Sequence, residues 1–371
     1  MKILESYYPF MGCDPEFFFV SNGKVLEASK VLSDKGFTVK HQRPLARGIE
    51  GVTSRFVIDG VQAELNPKPY SCRANLANEI RECFFKLNEE VIKKQSVGIN
   101  FSGVIKLSED EMAQLSETSK KFGCAPSNNV YTGKESEIKV NPATYSYRTA
   151  GGHIHIGGCD YLYDSLTTVL HSKSKLFVRL LDLIVGNTCV MLDRDPGQVE
   201  RRKVYGRAGE YRLPKYGLEY RTLSNFWLQS YPLMSLVFGL VRFAVTIGYN
   251  IVTEERESGE ESEYRSILRQ VKRIDVVRAI NRNDFELAKK NFDKIKNLLV
   301  EIVGDGNSHY PLYKSNLAQF EYFVKKGIGY WFKQDPLTHW LALNEGHGKG
   351  WESFCHQYVE WDMYSEPKIH P

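Results

Sequence analysis

Four short segments of the chain each place two polar side chains, able to bind a metal ion or an anion, two residues apart. They read GCDPE at 12–16, QAE at 62–64, GGHIHIGG at 151–158 and EYR at 219–221. Residues i and i+2 of a β-strand point to the same face of a sheet, and each segment has β-favouring neighbours. We therefore expect four strands of one sheet to present a single polar face, formed by Asp14, Glu16, Glu64, His153, His155, Glu219 and Arg221.

The oxygen ligands on this face indicate which metal it would bind. Carboxylates are hard ligands that favour Mg²⁺ or Mn²⁺, whereas a catalytic zinc site more often has two or three histidines and at most one carboxylate. Carboxylates gathered on one face repel one another, and about two divalent ions would relieve that repulsion. A pair of such ions suits the phosphates of a nucleotide triphosphate.

A cluster of basic residues at 194–212 supplies guanidinium groups for phosphate chemistry. It contains Arg201, Arg207 and Arg212, and Arg221 follows it. Guanidinium groups steady a phosphoryl group during its transfer. The sequence has no P-loop, no protein-kinase motif set and no nucleophile elbow, so metals and arginines on a sheet would have to bind the nucleotide. A nucleic-acid surface is the alternative, although the interleaved glycines and tyrosines suit a phosphate loop equally well.

Each motif taken alone also has an ordinary structural explanation. The DPE segment could be a turn or an exposed strand, the two histidines could be hydrogen-bonded or exposed, and the EYR segment could be a cross-strand ion pair. The glycines on both sides of the histidines favour a ligand role, because glycine permits close approach of the backbone. The combination of all four segments is much less expected by chance than any one of them.

Length, composition and charge are those of a soluble globular protein. The 371 residues, of which 42% are hydrophobic and 25% charged, fit one large domain or a domain with a substantial extension. The net charge of +4 is small for this length and indicates no particular partner. Seven cysteines, an odd number without a CxxC motif, indicate idle thiols in a reducing compartment and argue against a cysteine-based zinc site.

Two segments bear on membrane association. The start of the chain, MKILES, lacks a basic region followed by an apolar stretch, so we expect no signal peptide. The apolar run at 232–252 carries Arg242 near its middle, and a charge at the centre of a bilayer costs at least about 2.5 kcal/mol. A buried helix with Arg242 at one edge is therefore predicted instead of a membrane span.

An acidic run at 254–261 divides the chain into two predicted regions, a catalytic domain over 1–253 and a mainly helical region over 263–371. Such runs are most often solvated loops or linkers. Asn22-Gly23 and Asp59-Gly60 predict hairpin turns, and Ser71 is a candidate N-cap. Apolar residues at helical spacing predict helices over 71–91, 165–190 and 232–252, and two more over 263–303.

Taken together and in this order, the motifs resemble the glutamine synthetase and glutamate–cysteine ligase superfamily. More narrowly, they resemble its phage-associated branch of carboxylate–amine ligases, COOH–NH2 ligase type 2. The segments that carry the resemblance are GCDPEFF at 12–18, DGVQAELNP at 59–67, AGGHIHIGG at 150–158 and RRKVYGRAGEYRLPKYGLEYRTLSNFW at 201–227. The resemblance implies an α+β fold, in which helices flank an antiparallel β-sheet funnel that admits ATP on one side and substrates on the other. Residues 255–371 have no counterpart in it.

The resemblance also implies roles for individual residues. The family's paired acidic strand matches Asp14 and Glu16, although Asp14 replaces the glutamate common in glutamate–cysteine ligases and has a shorter reach to the ion. The later metal-binding glutamates match Glu64 and Glu219. Either His153 or His155 would contact metal or phosphate, with His155 our candidate metal ligand. The arginine expected to touch phosphate matches Arg221, and the further candidates for phosphate or carboxylate contacts are Arg201, Arg207 and Arg212.

The implied activity is ATP- and Mg²⁺-dependent (or Mn²⁺-dependent) formation of an amide or peptide bond through an acyl phosphate. The substrates would be a small-molecule or peptide carboxylate and an amine, without a membrane or nucleic-acid partner, and a homo-oligomer remains open. We expect the protein to be located in the cytoplasm, which is the cytoplasm of the host cell if a phage encodes the protein. Three alternatives stay open: a guanidino-kinase-like phosphotransferase, a metallohydrolase that uses His153 and His155, and a catalytically inert relative with a binding role.

Overall fold

The structure, a computed structural model, describes residues 9–32, 38–39, 55–121, 126–158, 163–303, 311–328 and 335–341. The start of the chain, residues 33–37 and 40–54, and the end of the predicted C-terminal region after residue 341 lie outside these ranges. The described part consists mainly of helices and of sheets whose strands are antiparallel except for the parallel pair β4 and β5, which agrees with the predicted α+β class.

Short strands form the sheets of the molecule. Their bounds are β1 Phe10–Cys13, β2 Glu16–Ser21, β3 Lys24–Leu26, β4 Thr38–Val39, β5 Phe56–Asp59, β6 Gln62–Leu65, β7 Gly98–Asn100, β8 Val104–Lys106, β9 Ser127–Asn129, β10 Glu135–Ser136, β11 Tyr147–Thr149, β12 Ile154–Gly157, β13 Glu210–Arg212 and β14 Gly217–Tyr220. Within the described residues, the first sheet has the order β1-β12-β14-β13-β9-β10, and the second has the order β3-β2-β6-β5-β4 with β7 also paired to β2. Strands β11 and β8 form a separate pair.

A break at Asp14-Pro15 divides the strand that was expected to contain the GCDPE segment at 12–16. Strand β1 pairs with β12 in the first sheet, whereas β2 pairs with β6 in the second sheet. Proline has no backbone N–H to donate to a ladder, which favours a strand end at this point. The expectation that all four polar segments share one sheet is therefore wrong. Both predicted hairpins are confirmed, because β2 pairs with β3 and β5 pairs with β6.

The helices surround the sheets and form most of the core. Their bounds are α1 Ala28–Leu32, α2 Arg73–Leu87, α3 Lys93–Gln95, α4 Glu109–Gln114, α5 Tyr163–Ser172, α6 Ser174–Leu181, α7 Asn187–Val190, α8 Gln198–Val204, α9 Tyr231–Ser258, α10 Ile267–Gln270, α11 Arg273–Arg282, α12 Phe285–Val303, α13 Pro311–Lys326 and α14 Pro336–Leu341. A π-helical turn, Asn88–Ile92, joins α2 to α3, and another, Asp182–Gly186, joins α6 to α7. Short 3₁₀ segments cover Asn225–Gln229 and Glu263–Ser266.

Three details of the helix predictions are wrong. The N-cap of α2 is Cys72 instead of Ser71, and its side chain makes no capping hydrogen bond. Helix α9 continues through the first half of the acidic run expected to be a loop and ends at Ser258, where the C-cap residue Gly259 has a left-handed φ of 71°. The segment expected to form two helices over 263–303 contains a 3₁₀ turn and three helices, α10 to α12.

Helix α9 is the central core helix. By length and composition it could span a membrane, but 83% of its most apolar window is buried inside the protein. Its N-terminus is capped by Ser230, whose hydroxyl accepts a hydrogen bond from the backbone N–H of Leu233. Arg242 is 5% exposed and donates a hydrogen bond to the Ser71 carbonyl oxygen. The buried-helix prediction is thus confirmed.

Helices from the predicted C-terminal region pack on the same hydrophobic core. The Asn187 side chain donates a 2.9 Å hydrogen bond to the Ala288 carbonyl oxygen and accepts one of the same length from Asn291. The indole N–H of Trp340 donates to the Leu228 carbonyl oxygen at 2.6 Å. The division at the acidic run into two domains stays a prediction.

The described cysteines differ in their bonding. Cys13, Cys83 and Cys189 are buried free thiols, as expected. Burial raises the pKa of the Cys83 thiol to about 12, so this thiol stays protonated at neutral pH. Cys72 is disulfide-bonded, which the expectation of idle thiols did not include.

Candidate metal and phosphate site

His155 on β12 and His153, directly before this strand, lie on the face that is opposite to the core. Ile154 and Ile156 are fully buried in the core, and the alternation of a strand therefore turns His153 and His155 to the other side. Gly152 permits the close packing beside them, because a Cβ there would overlap the Ser224 carbonyl oxygen. This glycine brings protein backbone, instead of a ligand, close to the strand.

A first group of metal-capable side chains, the histidine cluster, consists of Asp14, His155 and Glu219. One ligand atom from each lies within 4.8 Å of the others. Their strands are neighbours in the first sheet, where His155 is directly opposite Glu219 on β14 and opposite Gly12 on β1. The His155 Nε2 atom is 3.4 Å from Asp14 Oδ1. His153 supports the cluster from the side, with Nδ1 3.1 Å from Asp14 Oδ1 and 3.7 Å from Glu219 Oε1.

Electrostatics keep both acids of the histidine cluster ionised. Burial opposes ionisation of Asp14, but His153 and His155 outweigh it and hold the pKa of this carboxyl well below its usual range. For Glu219, burial and Asp14 oppose ionisation, yet Arg221 and the two histidines lower its pKa. The cluster therefore offers negatively charged oxygens at neutral pH.

The two histidines differ in their own protonation. Burial, together with the charge of Arg221, lowers the pKa of His153 to about 4, so this imidazole is neutral. Burial also disfavours the charged form of His155, but Asp14, Glu219 and Glu64 outweigh it and raise the pKa of His155 above its usual value. A divalent cation would take over the charge that a proton on His155 otherwise supplies.

A second group, the carboxylate cluster, consists of Glu16, Asp59 and Glu64 in the second sheet. One oxygen atom from each lies within 4.8 Å of the others, and all three residues are buried. Glu16 and Glu64 are direct cross-strand partners on β2 and β6. Asp59 comes from the end of β5, opposite Gln62.

Asp59 is not among the metal ligands expected from the sequence, where it is only a predicted turn residue. The signal was present in the hairpin itself. Pairing across the Asp59-Gly60 turn places Asp59 opposite Gln62, and Gln62 shares a face with Glu64. The register of this hairpin alone therefore places Asp59 near Glu64 on the same face of the sheet.

The two clusters meet at the Asp14-Pro15-Glu16 segment, which passes from one sheet to the other. The Glu16 carboxylate accepts hydrogen bonds from the Gly151 N–H at 2.6 Å and from the Tyr205 hydroxyl at 2.8 Å. The backbone N–H of Glu16 donates to the Gly151 carbonyl oxygen at 2.8 Å. Glu16 is thus bonded to the segment that leads into β12 and the histidines.

Tyr205 packs between charged groups of the site. Its ring centroid is 5.6 Å from that of His153 in an edge-on arrangement, and the guanidinium carbons of Arg201 and Arg221 lie 4.8 Å and 5.9 Å from it. Cations at these distances are attracted to the face of an aromatic ring. Tyr205 is not among the site residues expected from the sequence, because its partners Glu16 and His153 are distant along the chain.

The structure brings two of the four predicted arginines to Glu219. Arg221 is 2% exposed and donates a hydrogen bond to the Glu219 carboxylate. Arg212 is more accessible, with a side chain 28% exposed, and its Nη1 lies 3.6 Å from Glu219 Oε1. Both guanidinium groups therefore border the histidine cluster.

The other two arginines make different contacts. Arg201 is fully buried and donates hydrogen bonds to the carbonyl oxygens of Thr222 and Leu223, at 2.9 and 2.5 Å. Arg207 pairs with Glu210 at 3.3 Å and donates to the Glu137 carbonyl oxygen. These contacts hold the segment before β14 in place and do not bring either guanidinium into a cluster.

The donor sets suit divalent cations. The Asp14 Oδ1 and His155 Nε2 atoms are buried, and among the described residues neither makes a hydrogen bond of good geometry. Buried polar atoms of this kind are costly unless a ligand satisfies them. Oxygen-rich sets with at most one imidazole favour Mg²⁺ or Mn²⁺ over zinc. The residues present therefore fit the metal expected from the sequence.

A comparison with known families agrees with the motifs. Residues 135–291 match the family model described as phage phiEco32-like COOH.NH2 ligase-type 2. Over this stretch, which is less than half of the chain, the match confirms the predicted resemblance to the carboxylate–amine ligases. The matched stretch contains both histidines, Glu219 and the four arginines, whereas Asp14, Glu16 and Glu64 precede it. No curated protein matches the chain.

Proposed function

We propose that the protein is an ATP- and Mg²⁺-dependent carboxylate–amine ligase, with Mn²⁺ as an alternative ion, that forms an amide or peptide bond through an acyl phosphate. The observation that carries the proposal is the meeting of two metal-capable clusters at one short segment. Asp14 belongs to the histidine cluster and Glu16 to the carboxylate cluster, with Pro15 between them. The family match supports the same class of reaction.

The two sheets are proposed to form the funnel expected from the family, with the clusters at their junction. Asp14, His155 and Glu219 would hold one ion, and Glu16, Asp59 and Glu64 the other. Bound there, divalent cations neutralise phosphate charge. The acids of the chain thereby bind and orient the nucleotide through ions, without a helix N-terminus.

The arginines have separate proposed tasks. Arg221 is buried against Glu219 and fixes the orientation of this carboxylate. Arg212 is the more accessible guanidinium beside the cluster, so it is the better placed of the two to touch a phosphate or a substrate carboxylate. The predicted phosphate contacts of Arg201 and Arg207 would need a rearrangement of their present hydrogen bonds.

The proposed reaction needs no nucleophile from the protein. An oxygen of the substrate carboxylate attacks the γ-phosphorus of ATP, and ADP leaves. The amine then attacks the acyl carbon, phosphate leaves, and a proton from the nitrogen passes to solvent. The tasks of the chain are alignment of the two substrates and neutralisation of charge, which account for large rate factors in reactions of this type.

Release of ADP, measured with Mg²⁺, ATP and a panel of amino acids and amines, tests the proposal. Both a carboxylate and an amine should be required, and mass spectrometry should find an amide product with free phosphate. A phosphorylated amine formed without any carboxylate would favour the phosphotransferase. Hydrolysis that does not need ATP would favour the metallohydrolase, and no turnover with any pair would favour an inert relative.

The remaining expectations form part of the proposal. The substrates are small-molecule or peptide carboxylates and amines, and the location is the cytoplasm, that of the host cell if a phage encodes the protein. The region 263–371 is proposed to support stability or substrate choice instead of nucleotide binding. Its helices α11 and α12 carry core residues, such as Ile280 and Phe292, which are 0% and 4% exposed.

A further inference from the structure

Tyr216 lies directly beside His155, on the side of the imidazole that faces away from the histidine cluster. The two rings are nearly parallel, with an angle of 10° and centroids 5.6 Å apart. The Tyr216 hydroxyl is within hydrogen-bond distance of His155 Nδ1. The opposite nitrogen, Nε2, is the one 3.4 Å from Asp14 Oδ1. Each nitrogen of this imidazole therefore has its own neighbour.

The backbone around Tyr216 keeps it in this position. Gly217 follows it at the start of β14 and has a φ of 152°, and a Cβ at Gly217 would overlap the Ile156 carbonyl oxygen. The glycine thus permits β14 to approach β12 closely at Gly157, the partner of Gly217 and two residues beyond His155. Tyr216 remains 36% exposed, so its contact with His155 is not a result of burial in the core.

Coordination of a cation by His155 sets a requirement on its proton. An imidazole binds a metal through a nitrogen lone pair, so Nε2 has to be unprotonated and Nδ1 has to carry the hydrogen. The Nδ1–H group then needs an acceptor, and the Tyr216 hydroxyl oxygen is at the right distance. Metal-binding histidines generally donate their other N–H to such a partner, which fixes the tautomer and the ring orientation.

We propose that Tyr216 is a positioning residue that holds His155 with Nδ1 protonated, so that Nε2 binds the divalent cation between Asp14 and Glu219. This inference rests on the proposed function, because it needs the histidine cluster to bind a cation. The position of Tyr216 also indicates which of the two histidines binds the cation, a question that the sequence left open. His155 is the ligand, and His153 supports the Asp14 carboxylate.

The surroundings of His153 agree with this choice. His153 is 2% exposed, and its Nδ1 already lies 3.1 Å from Asp14 Oδ1. Its Nε2 faces Gly151, where an added Cβ would be only 2.7 Å away. Protein atoms therefore occupy the space on that side of the ring.

Binding of Mn²⁺ to the full chain, followed by electron paramagnetic resonance, tests the proposal without using catalysis. The intensity of the free Mn²⁺ signal in a titration gives the affinity of the protein for the ion. Electron spin-echo modulation detects an imidazole nitrogen that coordinates Mn²⁺ directly. The variants are Tyr216→Phe, which removes only the hydroxyl, His155→Ala and His153→Ala. Tyr145→Phe is the matched control, because the Tyr145 hydroxyl donates to the Glu200 carboxylate outside both clusters.

We expect the wild-type protein and Tyr145→Phe to show the nitrogen signal with equal affinity. Tyr216→Phe should weaken Mn²⁺ binding about ten- to a hundredfold and alter the nitrogen coupling, and His155→Ala should abolish that coupling. Unchanged affinity and coupling in Tyr216→Phe, with a normal circular dichroism spectrum, would overturn the role of Tyr216. Loss of the coupling in His153→Ala but not in His155→Ala would overturn the choice of ligand. Absence of Mn²⁺ binding by the wild-type protein would instead refute the proposed function and this inference together.

Discussion

Tyr205 donates a hydrogen bond of 2.8 Å to the carboxylate of Glu16, a residue 189 positions earlier in the chain. The bond joins the end of α8 to the start of β2, and the same tyrosine ring packs on His153. A single side chain thus contacts a member of the carboxylate cluster and a histidine that supports the histidine cluster. The geometry of the two proposed ion sites is therefore coupled through Tyr205.

Replacement of Tyr205 by phenylalanine should weaken both stability and turnover. A hydrogen bond to a charged group contributes about 1.5–3 kcal/mol, so the free energy of unfolding, measured with urea, should fall by about that amount. Glu16 keeps the bond from Gly151, and ADP release should decrease without being lost. Tyr145→Phe is the control for turnover. Equal turnover in Tyr205→Phe and in the wild type would show that the tyrosine has only a structural role.

Substitution of Glu16 by glutamine should abolish Mg²⁺-dependent ATP turnover and preserve the fold. Glutamine has nearly the same shape, and its amide oxygen accepts a hydrogen bond from Gly151 or Tyr205, but it lacks the negative charge that a cation requires. Glu117→Gln is the control, since that side chain is 85% exposed and pairs only with Lys120 among the described residues. Measurement of ADP release detects the loss of turnover, and thermal unfolding shows whether the fold is preserved. Unchanged turnover in Glu16→Gln would remove this acid from the site.

Conversion of Arg221 to lysine should reduce kcat/KM strongly. The planar guanidinium lies by the Tyr205 ring and donates to Glu219, and a lysine ammonium cannot reproduce both contacts. Arg212→Lys tests the other proposed role, contact with a phosphate or a substrate carboxylate, because Arg212 is more exposed than Arg221. Comparison of the two variants therefore separates this contact from the orientation of Glu219. The exposed Arg269, paired with Glu261, is the control for Arg-to-Lys changes at the surface. A mild effect in Arg221→Lys would assign this residue an ion-pair role only.

The local parts of this architecture could be predicted from the sequence. The two-residue period placed His153 and His155 on one strand face, and Asp-Gly and Asn-Gly signals identified both hairpins. The division of the acids between two sheets could not be predicted, because strand pairing depends on partners far along the chain. Pro15 was the only local sign that the strand ends there.

Long-range contacts account for the other features that the sequence did not reveal. Tyr205 lies in the 201–227 segment, but its role in the site follows from a partner 189 residues away. The extension of α9 into the acidic run has a similar cause. Arg265, beyond the end of the helix, pairs with Glu255 within it at 2.6 Å and stabilises a turn that composition alone assigns to a loop.

Asp182, which lies behind the first sheet, should make the stability of the protein depend on pH. It is fully buried and accepts hydrogen bonds from Tyr220 at 2.8 Å and from Thr222 at 3.2 Å. Burial raises its pKa from 3.8 to about 7, despite these hydrogen bonds. The folded protein therefore keeps this proton up to about pH 7, whereas the unfolded chain loses it near pH 4. Because the unfolded state binds fewer protons between these values, the free energy of unfolding should fall as the pH rises through this range.

Asp182→Asn isolates this effect, since asparagine keeps an acceptor oxygen and cannot ionise. At about 1.4 kcal/mol per pH unit, the shift corresponds to roughly 4 kcal/mol between pH 4 and pH 7. Urea unfolding of both proteins across this range should show the variant gaining stability relative to the wild type as the pH rises, with no further change above about pH 7. Subtracting the two curves removes the contributions of other groups, including Asp193, whose pKa burial raises to about 6. A difference that stays constant with pH would mean that Asp182 ionises as readily in the folded protein as in the unfolded chain.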